Sequence, residues 1–214
     1  IRAAQRMKED AARAAVSARV SRETLDRLDR HAAMLEKWQG AINLVSPATL
    51  PSLWYRHMLD SAQLMDLAPD RAATWLDLGS GGGFPGLVCA AIAAETHPEL
   101  RFTLVESDLR KAAFLREAAR QMGVAASVLT RRVEDLPASR ADVISARALA
   151  PLSTLCRHAS RHLAPGGVCL FPKGARAGAE LETARQDWQV DVTKTASVTD
   201  ADAVILKLEN LRHA

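Results

Sequence analysis

The sequence predicts an α/β protein: a mostly parallel sheet flanked by helices, finished by an antiparallel hairpin and preceded by a helical cap. Three observations carry this. After Pro69, short apolar runs alternate with helical stretches, the rhythm of strand–helix–strand crossovers. A glycine cluster directly follows the first of those runs. Two long runs of polar/apolar alternation, joined by the short turn TDAD, close the chain and read as a hairpin. At 214 residues, 48% hydrophobic and 25% charged, with a mean hydropathy of -0.07, the chain is large enough to bury a single sizeable core.

Residues 1–20 are Ala/Arg-rich and weakly amphipathic, either a frayed helix or a loose arm. From Ser21, an N-cap residue type, Leu25, Leu28, Ala32, Leu35 and Trp38 recur at helical steps until Gly40. AINLVSP then leads to a second helix at about 50–67. These make residues 1–70 a cap and residues 71–214 the α/β domain. Its expected strands are 73–78, 101–106, 126–131, 141–146 and 167–172, with helices at 85–96, 108–122, 151–163 and 175–186. The alternating runs 188–198 and 203–211 form the hairpin.

Composition excludes several classes. No apolar run approaches the roughly 18 residues of a membrane span, and IRAAQRMKED lacks a signal-peptide core. Cys89, Cys156 and Cys169 have no CxxC spacing, which suits buried free thiols in a cytoplasmic protein rather than zinc or disulfides. No metal site is expected. Charge is uneven: residues 110–176 hold twelve Lys/Arg against four Asp/Glu. Such a basic middle faces a polyanion or merely solvates helices.

The most informative stretch is TWLDLGSGGGFPG, Thr74 to Gly86. Gly79, Gly81 and Gly83 allow a tight turn and close approach of a ligand beyond a strand's carboxyl end. Phe84 departs from the dinucleotide fingerprint, and Asp77 would repel a pyrophosphate. Glu106 stands at the tip of the next strand, 27 residues beyond Gly79, where an acid can accept both hydroxyls of a ribose. Two acids and a glycine turn suit a cationic nucleoside, and S-adenosyl-L-methionine is one.

LDLGSGGGFPG, the Glu106 strand and the closing hairpin resemble the class I S-adenosylmethionine-dependent methyltransferases, a Rossmann-like fold. WQGAINLVSP, RHMLDS, RRVEDL, ISARALAPL and FPKG narrow the resemblance to the RsmG (GidB) family of bacterial 16S rRNA methyltransferases. The match spans Trp38 to Gly174. The resemblance implies transfer of a methyl group to N7 of a guanine in the 530 loop. It also implies that Gly79 and Phe84 line the cofactor pocket, that Val133 and Glu134 hold the adenine, and that Arg147 stands between cofactor and target base as the catalytic residue. Where the family often has W-N-x-x-x-N-L-T, this chain has Trp38-Gln39 and Asn43-Leu44-Val45-Ser46, so only the second Asn is kept.

Two absences agree with that chemistry. There is no Asp/Asn/Ser-Pro-Pro-aromatic tetrad for an exocyclic amine and no Pro-Cys pair for a pyrimidine carbon. Guanine N7 has a lone pair and no proton to lose, so alignment alone can carry its methylation. Arg132, Lys173 and Arg176 are expected at RNA phosphates. Asn43 and His57 are expected to face the RNA from the cap, although His57 equally reads as a satisfied helix histidine. The partner is then 16S rRNA, in the small ribosomal subunit or an assembly intermediate, and the enzyme a monomer. The rival readings are a methyltransferase of a non-RNA substrate and a non-catalytic RNA-binding protein that keeps the fold.

Overall fold

The computed structural model describes residues 2–214. Seven strands form one sheet: β1 (Thr74–Leu78), β2 (Arg101–Glu106), β3 (Ala126–Thr130), β4 (Ala141–Ala146), β5 (Leu163–Lys173), β6 (Trp188–Ala196) and β7 (Val204–His213). Their order is β3-β2-β1-β4-β5-β7-β6. β1 to β5 run parallel, and β7 pairs antiparallel with both β5 and β6. The chain steps from β1 to one side and then crosses back to β4 on the other. Ligands of open α/β sheets bind at such a reversal, beyond the carboxyl ends of the strands.

The helices are α1 (Arg2–Ser17), α2 (Arg22–Gln39), α3 (Asp60–Ala62), α4 (Gly86–Thr96), α5 (Leu109–Met122), α6 (Leu152–His162) and α7 (Ala177–Ala184). Ser21 caps α2 by accepting the Thr24 N–H, and Asp108 caps α5 by accepting those of Arg110 and Lys111. α4 (GLVCAAIAAET) has no polar face, because it is sandwiched between the sheet and the cap and Gly86 to Ala93 are all buried. One core on this side joins Leu28 and Leu35 of α2, Leu87 of α4 and Phe114 of α5. A second, on the opposite face, joins Leu155 of α6, Leu181 of α7 and Phe171 of β5.

Three elements differ from the sequence expectation. The first residues form a packed helix, with Ala12 and Val16 buried. The Glu9 carboxylate accepts the Trp54 and Tyr55 N–H groups at 2.8 and 2.9 Å, and Arg13 lies over the Trp54 ring. α1 therefore caps the segment after α2. That segment is one irregular helix over residues 50–67, whose widened turn Trp54–Leu59 carries His57. β5 begins at Leu163, before the expected start, because Leu163 already pairs with Ala141 and a register shift absorbs the irregularity. Among the described residues no helix is long and apolar enough to cross a membrane, and no cluster of three His/Cys/Asp/Glu is arranged for a metal.

Candidate active site

The turn after β1 is built by its glycines. Gly79, Gly81 and Gly83 have φ of +67°, +53° and +91°, a region most side chains avoid. Phe84 N–H and Gly83 N–H both reach the Ser80 carbonyl, and Ser80 N–H reaches Val105 of β2. Glu106 locks the turn from the next strand: Oε2 accepts Gly81 N–H at 3.0 Å and Oε1 accepts Asp108 N–H at 2.9 Å. Each oxygen keeps a further lone pair. A Cβ built at Gly81 would meet nothing nearer than 3.9 Å. An open glycine cradle beside an anchored acid fits a ribose-bearing ligand.

Asp77 explains why that ligand is not a pyrophosphate. Its Oδ2 accepts Gly86 N–H at 3.2 Å, so an internal carboxylate already occupies the N-terminus of α4. Oδ1 accepts Ser145 Oγ–H at 2.6 Å, and Ser145 in turn accepts Trp75 Nε1–H at 2.8 Å. Burial outweighs these bonds and pushes the Asp77 carboxyl up to about 6.

Phe84 is buried where residues of the N-terminal helices meet the glycine turn. His31 of α2 stacks on it at 4.8 Å and donates Nε2–H to the Gly82 carbonyl at 2.7 Å. His57 lies 5.0 Å from the ring, and the Arg147 guanidinium is 5.2 Å over it. Arg147 leaves the tip of β4 and reaches back to the cap. It donates to the Arg56 carbonyl at 3.0 Å and to His57 Nδ1 at 2.6 Å, and it meets Asp60 Oδ2 at 3.5 Å. His57 Nε2–H then donates to Thr49 Oγ1 at 2.8 Å. Both imidazole nitrogens are thus committed with the ring neutral. Burial, then the charges of Arg147 and Arg56, push His57 down to about 3. Burial pushes His31 down to about 4.

These shifts set a pH dependence of stability. Unfolded imidazoles take up protons near 6.5, folded ones only near 4 and 3. The unfolded state therefore binds more protons between those values, and stability falls as pH drops through that window. Asp77 acts oppositely between 3.8 and about 6, because there the folded carboxyl holds the proton. Two imidazoles against one carboxyl leave a net loss. The urea midpoint at pH 5 is expected below that at pH 7.5, and His57→Ala should flatten the dependence.

At the β1/β4 reversal lies a cavity of about 760 Å³. Its lining includes Gly79, Gly81, Phe84, Arg147, His57, Lys173 and Arg176, although the sequence reading set Arg176 outside the cofactor pocket. Lys173 is not a free ammonium there. It pairs with Glu180 at 2.8 Å and donates to the Ala150 carbonyl at 2.9 Å, while Glu180 also accepts Leu152 N–H at 2.8 Å. The pair thereby clamps the loop after β4. Arg176 is exposed at the start of α7.

Other expected residues stand apart from this cavity. Glu106, Val133 and Glu134 are on the β2 and β3 side, as are the exposed Arg132 and the short turn Val133–Asp135 that follows it. Val133 is buried, whereas the Glu134 side chain is 63% exposed and 3.6 Å from His158. Arg161 holds this turn by donating to the Glu134 and Leu136 carbonyls at 2.9 and 3.3 Å, so its guanidinium is engaged internally. Gly83 packs against Leu87 and His31. Asn43 is exposed and accepts from Gln39 Nε2 at 3.2 Å. The sequence reading did not place Asp60, Thr49 or the hairpin turn (Thr199, Asp200) at this cavity. The His57–Asp60 spacing within RHMLDS, one helical turn, was the available signal for Asp60.

The strand order, the glycine turn after β1 and the acid at the tip of β2 define the class I S-adenosylmethionine-dependent methyltransferase fold. Fibrillarin from Aeropyrum pernix, solved with natively bound S-adenosyl-L-methionine, shares it: the TM-score is 0.55 at 21% identity, over 72% of this chain and 75% of that one. The chain belongs to the rRNA small subunit methyltransferase G (GidB) family, whose model matches residues 24–208. It is 57% identical over 201 residues to the ribosomal RNA small subunit methyltransferase G of Jannaschia sp. strain CCS1, covering 94% of this chain and 95% of that one. To the protein of the same name from Cereibacter sphaeroides strain ATCC 17025 it is 54% identical over 207 residues, 97% of this chain and all of the other.

Proposed function

We propose that this protein transfers the methyl group of S-adenosylmethionine to N7 of a guanine in the 530 loop of 16S rRNA, in the small ribosomal subunit or its assembly intermediate. The observation that supports this reading best is His57, an imidazole at the transfer cavity held neutral with both nitrogens in use. N7 carries no proton, so the reaction asks for alignment and not for a base. When bound, the cofactor supplies an electrophilic methyl on a sulfonium.

In this reading, residues 71–214 carry the transfer site and residues 1–70 cover it. The turn Gly79–Gly83, with Phe84 behind it, cradles the methionine part. Glu106 accepts the ribose hydroxyls, and Val133 and Glu134 meet the adenine. Arg147 orients both the cofactor and the target base. His57 and Lys173 hold position rather than grip RNA: one fixes Arg147 to the cap, the other fixes the loop after β4. Arg132, Arg176 and Asn43, all exposed, remain for the RNA backbone.

Mapping of 7-methylguanosine by mass spectrometry in rRNA from cells with and without the protein tests the reading. Loss of one such nucleotide from the 530 loop is expected, and an unchanged map would refute it. The single-turnover rate is expected to stay flat from about pH 6 to 9, because an alignment mechanism has no essential proton to titrate. A rate that rises through a pKa near 7 and goes flat in His57→Ala would make His57 a base.

A further inference from the structure

Asp60 offers the cavity an acceptor that the transfer chemistry leaves without a role. It opens α3, and its side chain is only 15% exposed. Oδ1 is fully occupied: it accepts Thr199 Oγ1–H at 2.9 Å and Gln63 Nε2–H at 3.0 Å, with Ser197 Oγ at 3.5 Å. Oδ2 has only the long 3.5 Å contact with Arg147 Nη1. The other carboxylates at the cavity are engaged. Glu180 holds Lys173 and the Leu152 N–H, and Asp200 holds Arg56 and the Asp202 N–H. Arg147 bonds through Nη1 and Nη2, and its Nε–H meets no acceptor among the described residues. An underused acceptor and an underused donor therefore stand side by side on one wall.

That pairing has a specific complement among the bases. The Watson–Crick edge of guanine presents an acceptor, O6, beside two donors, N1–H and the 2-amino group. Adenine presents the reverse, an amine beside the N1 acceptor. Enzymes that act on an extruded base read this edge by hydrogen bonds. We infer that Asp60 Oδ2 accepts N1–H and the 2-amino group of the target guanine while Arg147 donates to O6. The inference rests on the guanine-N7 reading above. N7 lies around the ring from this edge, so the grip leaves its lone pair free. Methylation also leaves the base cationic, and a carboxylate in a partly desolvated wall favours that charge. Thr199, Ser197 and Gln63 gather on Oδ1 of a residue that lines the cavity, which leaves Oδ2 the less engaged oxygen.

The test is single-turnover methyl transfer to small subunits or rRNA fragments that carry guanosine or inosine at the target position. Inosine lacks only the 2-amino group. The wild type is expected to be about 10- to 100-fold slower on inosine, the loss of one hydrogen bond to a charged acceptor. Asp60→Ala should be slower on guanosine by a similar factor, with a guanosine-to-inosine ratio near one. A wild type that treats both RNAs alike, or an Asp60→Ala enzyme that keeps the full preference, overturns the assignment. The wild-type ratio decides by itself if Asp60→Ala does not fold. A wild type that methylates neither RNA refutes the guanine-N7 reading itself.

Discussion

Arg147→Ala should lower single-turnover methyl transfer by about 100-fold or more, the scale at which a small misplacement of reacting groups is felt. One guanidinium bonds the Arg56 carbonyl and His57 Nδ1, meets Asp60 and covers Phe84. Removing it frees the tip of β4 from the cap at the point where cofactor and base have to meet. Arg147→Lys should restore little, because an ammonium cannot reproduce a planar fork aimed at separate acceptors. A second readout marks the change as local. His57 loses a neighbouring positive charge and its Nδ1 donor, so its imidazole should titrate closer to its ordinary value. NMR titration of His57 beside calorimetry with S-adenosylmethionine would show this. An Arg147→Ala protein with the wild-type rate would remove Arg147 from the site.

Gly86→Ala should destabilise the fold strongly, although its backbone is not left-handed. A Cβ at Gly86 would lie 2.4 Å from Leu104 Cδ2 and 2.6 Å from Asp77 Oδ2, both side chains fully buried. Neither can retreat, since Leu104 sits in the core and Asp77 is held by Ser145. Overpacking of this kind costs about 3 kcal/mol, or roughly 6–12 °C in a chain of this size. Gly174→Ala is the control, because a Cβ there meets nothing within 4 Å and the backbone is not left-handed. Thermal melting of both variants checks the pair. A Gly86→Ala melting point equal to that of Gly174→Ala would mean that β2, Asp77 and α4 pack with slack.

Much of the fold was legible because its causes are local. The alternation of apolar runs and helical stretches follows from the two side-chain periods, and it located all seven strands. Ser21 announced a helix start because short polar side chains accept orphan N–H groups. The glycine turn was legible for a steric reason, and its three positive φ angles are where the residues without a Cβ stand. α1 was not legible. Its packing comes from Glu9 reaching residues 45 and 46 positions on in the chain.

By itself, then, the sequence determined the sheet, the glycine turn with Glu106 behind it, and the family to which the chain belongs. These depend on residue type and short spacing, and no distant partner can undo them. Only the tertiary structure decided which charged and titratable groups are free. Lys173 read as an RNA-facing base, yet it is paired with Glu180, and Arg161 is spent on two carbonyls. His57 read as ambiguous, and burial together with Arg147, 90 residues away, holds it neutral. Asp60 has one oxygen taken by Thr199, 139 residues away, and the other left to Arg147. The availability of a polar group depends on its desolvation and on partners within about 3 Å, and those distances exist only once the chain has packed.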